Sequence, residues 1–180
     1  MIKAAESKTQ FLLFAFLNSQ NLIRGDVASS PLRKKTYNHF KDFKPQKDIS
    51  KIEQIHYSKF VCYCLTLKDL PELNQIDVNE ETTFPIWDVK IGAEIHDFLL
   101  DFYNRTDFEE FYKSVRNEYL AEVEKANGLL KEVNVEKLLS IWGNTVGEMI
   151  VIPMPLANRR EGFGPQVNGI SYQVIGGPYD

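Results

Sequence analysis

The chain has 180 residues, of which 43% are hydrophobic, 26% charged and 12% aromatic, and its formal net charge is -4 at neutral pH. That length suits one domain around one core, and the composition excludes a disordered, collagen-like or disulfide-dense polypeptide. The acidic balance, with an isoelectric point near 5.5, argues against general nucleic-acid affinity, which needs clustered cations that displace phosphate counterions.

Helical periodicity dominates the first three quarters. Residues 3 to 23 carry Phe11, Leu12, Phe14, Ala15, Leu17 and Leu22 at helical spacing, and Gly25-Asp26 marks a stop. Ser29 and Ser30 precede Pro31 in the order of a helix start, and Leu32, Tyr37, Phe40 and Phe43 supply its apolar face before Lys44-Pro45 ends it. Ser50 and Glu53 have capping-box spacing and predict a helix from there to about Leu70, closed by Pro71. Residues 71 to 87 read as a loop in which Gln75 to Val78 make a short extended piece. A helix is expected from about Asp88 to Tyr103, on Ile91, Ile95, Phe98, Leu99 and Phe102. Thr106 and Glu109 form a second capping box, heading a helix with Phe111, Tyr112, Val115, Tyr119 and Val123 that Gly128 ends or bends. Asn134 caps a shorter helix ending at Gly143.

After Gly143 the pattern changes to glycine, proline and short apolar runs. Gly147 to Met154 and Gly169 to Ile175 read as strands joined by a loop over Pro155 to Asn168. The expected fold class is therefore α+β and mainly helical: a bundle of about six helices over residues 1–143, then a C-terminal antiparallel hairpin or small sheet over 144–180, in a single domain. Two strands alone leave backbone donors and acceptors unpaired. Further strands are expected from the 71 to 87 loop, a second copy, or polypeptide beyond Asp180, the last two being favoured.

Few residues carry chemistry. Cys62 and Cys64 are the only cysteines, and on a helix their spacing points them to opposite sides, so they read as reduced core residues. The apolar run Phe11 to Leu17 is too short for a bilayer span, follows Glu6, and lacks a cleavage site, which favours the cytoplasm over secretion. Asn104-Arg-Thr106 fits the glycosylation pattern, which matters only in a secretory pathway. His39, His56 and His96 fall on three predicted helices, and none has a second histidine one turn away, as a helical zinc pair requires. There is no nucleophile elbow and no P-loop. Charge is segregated: residues 33–51 hold seven cations against two anions, and residues 69–110 hold twelve anions against two cations. The two stretches read as solvated faces set against each other, or as an acidic docking surface.

The tail carries Ile152-Pro153, Leu156-Ala-Asn158, Gly162-Phe-Gly164, Asn168-Gly-Ile-Ser-Tyr172 and Ile175-Gly-Gly-Pro178, behind Asp97-Phe-Leu-Leu-Asp-Phe-Tyr103 and Asp107-Phe-Glu-Glu-Phe-Tyr112. This order resembles a family of bacterial and archaeal zincin-like zinc metallopeptidases over most of the chain. The resemblance implies a His-Glu-x-x-His helix after the last strand, with zinc held by its histidines and water activated by its glutamate. Those residues are absent from the chain, so no catalytic or metal residue carries over, and zinc belongs to the complete family member. What does carry over is a substrate-aligning strand, with Ile170, Tyr172 and Val174 in the cleft wall and Asn158, Arg159 and Asn168 near its rim.

The expected function is thus the amino-terminal helical and cleft-wall portion of a metallopeptidase, without catalytic competence of its own. Its expected partners are a peptide or protein substrate of the parent protein and a second copy through strand edges, with no nucleic acid and no membrane span. The alternative is a noncatalytic helical module that binds a protein through its acidic surface or an exposed strand edge.

Overall fold

In the computed structural model, residues 1–23, 30–83, 92–135, 137, 147–158 and 162–176 are described. Among them six helices stand against one small mixed sheet, in accord with the α+β class. The helices are α1 (Lys8–Ser19), α2 (Pro31–Phe40), α3 (Ser50–Glu53), α4 (Ser58–Cys64), α5 (His96–Arg105) and α6 (Phe108–Val133). The strands are β1 (Ile2–Ala4), β2 (Met149–Met154), β3 (Gly162–Phe163), β4 (Gln166–Val167) and β5 (Ile170–Gly176). No helix among the described residues is long and apolar enough to cross a membrane.

Helix α1 is buried from Thr9 to Ser19 on every side. A helix enclosed all round must satisfy its polar side chains inside the protein. Gln10 Nε2 donates to Val61 O at 2.8 Å, Ser19 Oγ to Phe16 O at 2.7 Å, and Asn18 Nδ2 to both Phe14 O and Leu156 O. Arg33, fully buried on α2, donates from Nε to Asn18 Oδ1 at 2.7 Å. The aromatic side chains of α1 divide among its neighbours. Phe11 meets Phe108, Tyr112 and Tyr119 of α6, Phe14 meets Tyr57, and Phe16 meets Phe98 and Phe102 of α5.

Several boundaries differ from the periodicity, each for an identifiable reason. Helix α1 starts at Lys8 because Ser7 caps it, its side chain accepting from Gln10 N–H; residues 2–4 leave the predicted helix to form a strand. The helix expected from Ser50 to Leu70 breaks between Glu53 and Ser58, where the His56 ring turns back to Ser58 Oγ at 2.8 Å. Neither capping box forms. Asp48, rather than Glu53, accepts from the backbone N–H of Ser50, and Glu109 is drawn off by Lys8 and by Tyr103 Oη at 2.9 Å. Gly128 sits inside α6, which instead ends at Asn134 in the left-handed region, φ 48°. The start of α2 at Ser30 and Pro31 is as expected, with the Ser30 side chain accepting from Arg33 N–H. The helix expected after Asn134 and the start of that expected at Asp88 lie largely outside the described residues.

The sheet runs in the order β1-β2-β5-β3, with β4 also on β5. Its two long strands are parallel, Met149 to Met154 standing beside Ser171 to Gly176, so the tail is a small sheet and not an antiparallel ribbon. The chain returns between them: β3 and β4 run antiparallel on the far side of β5 in one continuous register, as two pieces of a single arm interrupted at Gly164-Pro165. Asn168 (φ 50°) and Gly169 (φ 79°) form the turn from β4 to β5, the backbone signs that a type I′ hairpin requires. Additional pairing comes from the chain itself. Residues 2–4 pair parallel with β2, and Thr83 of the 71 to 87 loop bridges Gln166.

One stripe of α6 holds the segment that joins β1 to α1. Asn127 takes the outward backbone of Ala4, accepting from its N–H at 2.8 Å and donating to its carbonyl at 3.1 Å. Tyr119 Oη accepts from Ser7 N–H, Tyr112 Oη donates to Glu6, Arg116 pairs with Glu6, and Glu109 pairs with Lys8. These positions are spaced by three, four, three and eight residues, close to whole helical turns, so they share one helix face. Arg116 hydrogen bonding, the largest influence, holds the Glu6 carboxyl below its ordinary range. A depressed folded value means the stabilisation is present well above pH 4.5 and is lost as pH falls through the lower, folded value. Glu6→Gln is therefore expected to be less stable than the parent at pH 7 and to lose less stability on acidification to pH 3, as read from urea unfolding midpoints; equal pH dependence in the two proteins would refute the assignment.

Candidate functional site

Part of the carboxyl-terminal sequence, Ile152-Pro153, Asn158 and Gly162-Phe163, gathers at the carboxyl end of β5. Ile152 and Pro153 lie beside Val174 and Ile175 on one side, and Phe163 and Gly162 beside the same two residues on the other. The crossover leaving β2 passes directly over the strand end. A methyl group on Gly176 would stand 1.9 Å from the Asn158 carbonyl oxygen and 3.3 Å from the Ala157 Cβ. The crossover is anchored from below by Asn18, which donates to Leu156 O at 2.9 Å.

The expected site residues distribute unevenly over this frame. Ile170, Tyr172 and Val174 share one face of β5 by strand alternation. Val174 is fully buried in the core, so its side chain packs the wall from behind. Tyr172 is partly buried, and its phenol is pushed above the ordinary range by burial and then by the Glu148 carboxylate. Asn158 lies at the Gly176 end and Asn168 at the Ile170 end, about 20 Å apart at 3.3 Å per strand residue. The two asparagines therefore mark opposite ends of a wall rather than one pocket. Arg159 lies outside the described residues.

Backbone pairing places the available edge elsewhere than expected. Strand β5 is paired on both sides, by β2 and by the β3–β4 arm, and the β1 border is occupied at Ala4 by Asn127. Among the described residues the outer side of β3 is the end of the strand order. The hydrogen-bond partners of Asn168 were not legible in the sequence, because they come from residues 77 to 82.

The histidines are dispersed. His39 Nε2 lies 2.9 Å from Asp107 and its ring stacks on Phe111 at 4.4 Å. His56 Nδ1 lies 2.8 Å from Ser58 Oγ, and His96 Nε2 lies 3.0 Å from Leu73 O. No three His, Cys, Asp or Glu side chains among the described residues group so as to hold a metal ion. Burial raises the Cys62 thiol to about 11 and the Cys64 thiol further, which keeps both protonated, and both are free. The basic and acidic stretches touch at a few points, with other contacts beside them. Lys47 pairs with Asp97, Gln46 N–H donates to Asp101, Arg105 joins Asp101 to Lys44 O, and Lys35 pairs with Glu118. No protein-family model, curated protein or solved structure matches the chain.

The contact at Gly176 gives a test of this frame. Gly176→Ala drives a Cβ into backbone atoms that cannot rotate away and is expected to destabilise by about 2 kcal/mol or more. Gly128→Ala, at a helical position where an added Cβ meets nothing within 4 Å, is expected to stabilise by about 0.5–1 kcal/mol. Chemical denaturation of both variants checks the pair; a neutral Gly176→Ala would remove the close crossover.

Proposed function

We propose that this chain is the helical and cleft-wall portion of a zincin-like metallopeptidase and does not hydrolyse peptides by itself. The observation that supports it is the convergence of Ile152-Pro153, Asn158 and Gly162-Phe163 around Val174 to Gly176, which makes the resembling segments parts of one rigid wall. In this reading an extended peptide lies along the outer edge of β3, where main-chain pairing supplies affinity and side-chain contacts supply selectivity. Ile170 and Tyr172 contribute to the wall, with Asn158 and Asn168 at its two ends. The donors on the described residues do not fit a zinc ion, since His39, His56 and His96 each engage separate local partners. Metal chemistry therefore falls to a His-Glu-x-x-His segment outside these residues, and no hydrolytic step is assigned to this chain.

A noncatalytic protein-binding module is the second reading, favoured by the pairing of β5 on both sides, which leaves that strand no backbone edge for a substrate. In that case the border of β3 is the stronger docking element. The acidic surface contributes less, because Asp97, Asp101 and Asp107 already hold Lys47, Arg105 and His39.

Zinc titration calorimetry and a casein-cleavage assay separate the two. The 180-residue polypeptide is expected to bind no stoichiometric zinc and to cleave nothing, and to gain both zinc binding and cleavage when it is produced with the coding sequence that follows codon 180 in its gene. A stop codon there, or a continuation without His-Glu-x-x-His, overturns the metallopeptidase reading in favour of the module. A tight zinc site abolished by His56→Ala or His96→Ala overturns the assignment of zinc to other residues.

A further inference from the structure

Two asparagines in the chain are followed directly by glycine, Asn127-Gly128 and Asn168-Gly169. A glycine has no Cβ to shield its backbone nitrogen, so that nitrogen reaches the side-chain amide carbon of a preceding asparagine more easily than any other residue's does. The fold puts the two pairs in opposite situations.

Asn127 lies inside α6. Helical geometry tilts its Cα–Cβ bond toward the amino end of the helix, away from the Gly128 nitrogen. Its amide is also held at both ends by the backbone of Ala4, at 2.8 Å and 3.1 Å. Bringing Cγ onto the Gly128 nitrogen would require the helix to unwind. Asn168 and Gly169 instead form the turn from β4 to β5, at φ 50° and 79°, and both are partly exposed. Among the described residues the Gly169 N–H has no hydrogen-bond partner, which leaves it to water.

What holds the Asn168 amide is the segment across from it. Oδ1 accepts from Asn79 N–H at 2.8 Å and from Thr82 Oγ1 at 3.1 Å, and Nδ2 donates to Asp77 O at 2.9 Å. The Asn168 N–H also donates to Thr82 Oγ1, at 3.0 Å. These bonds fix the rotation of the side chain. The segment that makes them has little apolar anchorage: residues 77–81 are exposed, and Val78, their one aliphatic side chain, is 42% exposed. A segment attached by polar contacts over solvent opens at a lower free energy than the core strands. Each opening frees the amide to rotate.

We propose that Asn168 is a site of spontaneous deamidation and that residues 77–82 are its gate. The Gly169 nitrogen gives its proton to water and bonds to Asn168 Cγ; the Cγ–Nδ2 bond breaks, and Nδ2 leaves as ammonia after taking up a proton. Water then opens the cyclic imide at either carbonyl, giving aspartate or isoaspartate at position 168. Water is consumed, ammonia is released and nothing is oxidised or reduced. Either product replaces the Nδ2 donor that holds Asp77 O with a carboxylate oxygen. Isoaspartate also adds a main-chain carbon to the two-residue turn that sets the pairing of Val167 with Ile170.

Ageing the full chain in mildly alkaline buffer, below its unfolding temperature, and mapping isoaspartate in its peptides tests the site. Conversion at position 168 is expected to be at least about tenfold faster than at position 127. Thr82→Val keeps the side-chain shape and removes the hydroxyl that both accepts from and donates to Asn168. It is expected to speed conversion at 168 about threefold to tenfold. Hydrogen exchange of the Asn79 amide is expected to rise by the same factor, because one opening exposes both groups, with the Phe14 and Val174 amides unchanged. Equal conversion at the two asparagines, or none at 168 in the folded chain while the urea-unfolded chain converts, overturns the site. An unchanged rate in Thr82→Val, or a faster rate without faster Asn79 exchange, overturns the gate.

Discussion

The fold is arranged around a helix that is buried over all but its first residue. From Thr9 to Ser19 α1 is enclosed by α2, α4, α5, α6 and the crossover from β2, and burial of that kind penalises each polar group that lacks a partner. Asn18 meets the requirement by binding three elements at once: its own helix at Phe14 O, the crossover at Leu156 O, and the buried guanidinium of Arg33. The direction of α2 and the path of the chain over β5 are thereby tied to one amide side chain. The aromatic residues of α1 do the remaining work, each filling the space against a different neighbouring helix.

The second organising feature is the long helix α6, whose stripe from Glu109 to Asn127 runs beside residues 4–8. The stripe begins with charge, from Glu109 to Lys8; its middle supplies the hydroxyls of Tyr112 and Tyr119 with the Arg116 guanidinium between them; at its end it supplies an amide that imitates a neighbouring strand. That sequence of contacts orients β1 for parallel pairing with β2 and at the same time closes the outer border of the sheet, the usual place of aggregation in open sheets.

The same logic shifts the functional reading. A strand that looks like a platform in isolation, Ile170 to Ile175, is the interior strand of the sheet, with backbone partners on both flanks. The outer side of the sheet beyond β5 is the β3–β4 arm, and half of that arm is covered by Thr83. The basic and acidic stretches touch between the loop that follows α2 and helix α5, through the Lys47–Asp97 pair and backbone contacts of Gln46 and Lys44.

The amino-acid sequence by itself determined what depends on neighbours a few residues away. The α2 start at Ser30-Pro31, the apolar faces of α5 and α6, the change to strand at Met149 and the buried free cysteines all follow from local spacing and side-chain chemistry. Tertiary structure alone decided the rest. Three residues at Ile2–Ala4 have no period long enough to read, and they become a strand because β2, more than 140 residues later, offers its edge. The parallel sense of β2 against β5 and the close approach of Asn158 to Gly176 both arise between residues far apart in the chain. Neither capping box survives, because Asp48 and Lys8 compete for the same groups with better geometry or charge. Asn168 reads locally as a turn residue, and its second role exists only because folding carries residues 77–83 to its side. Backbone pairing and charge competition act across distances in space that sequence spacing does not encode, which is why the elements were legible and their partners were not.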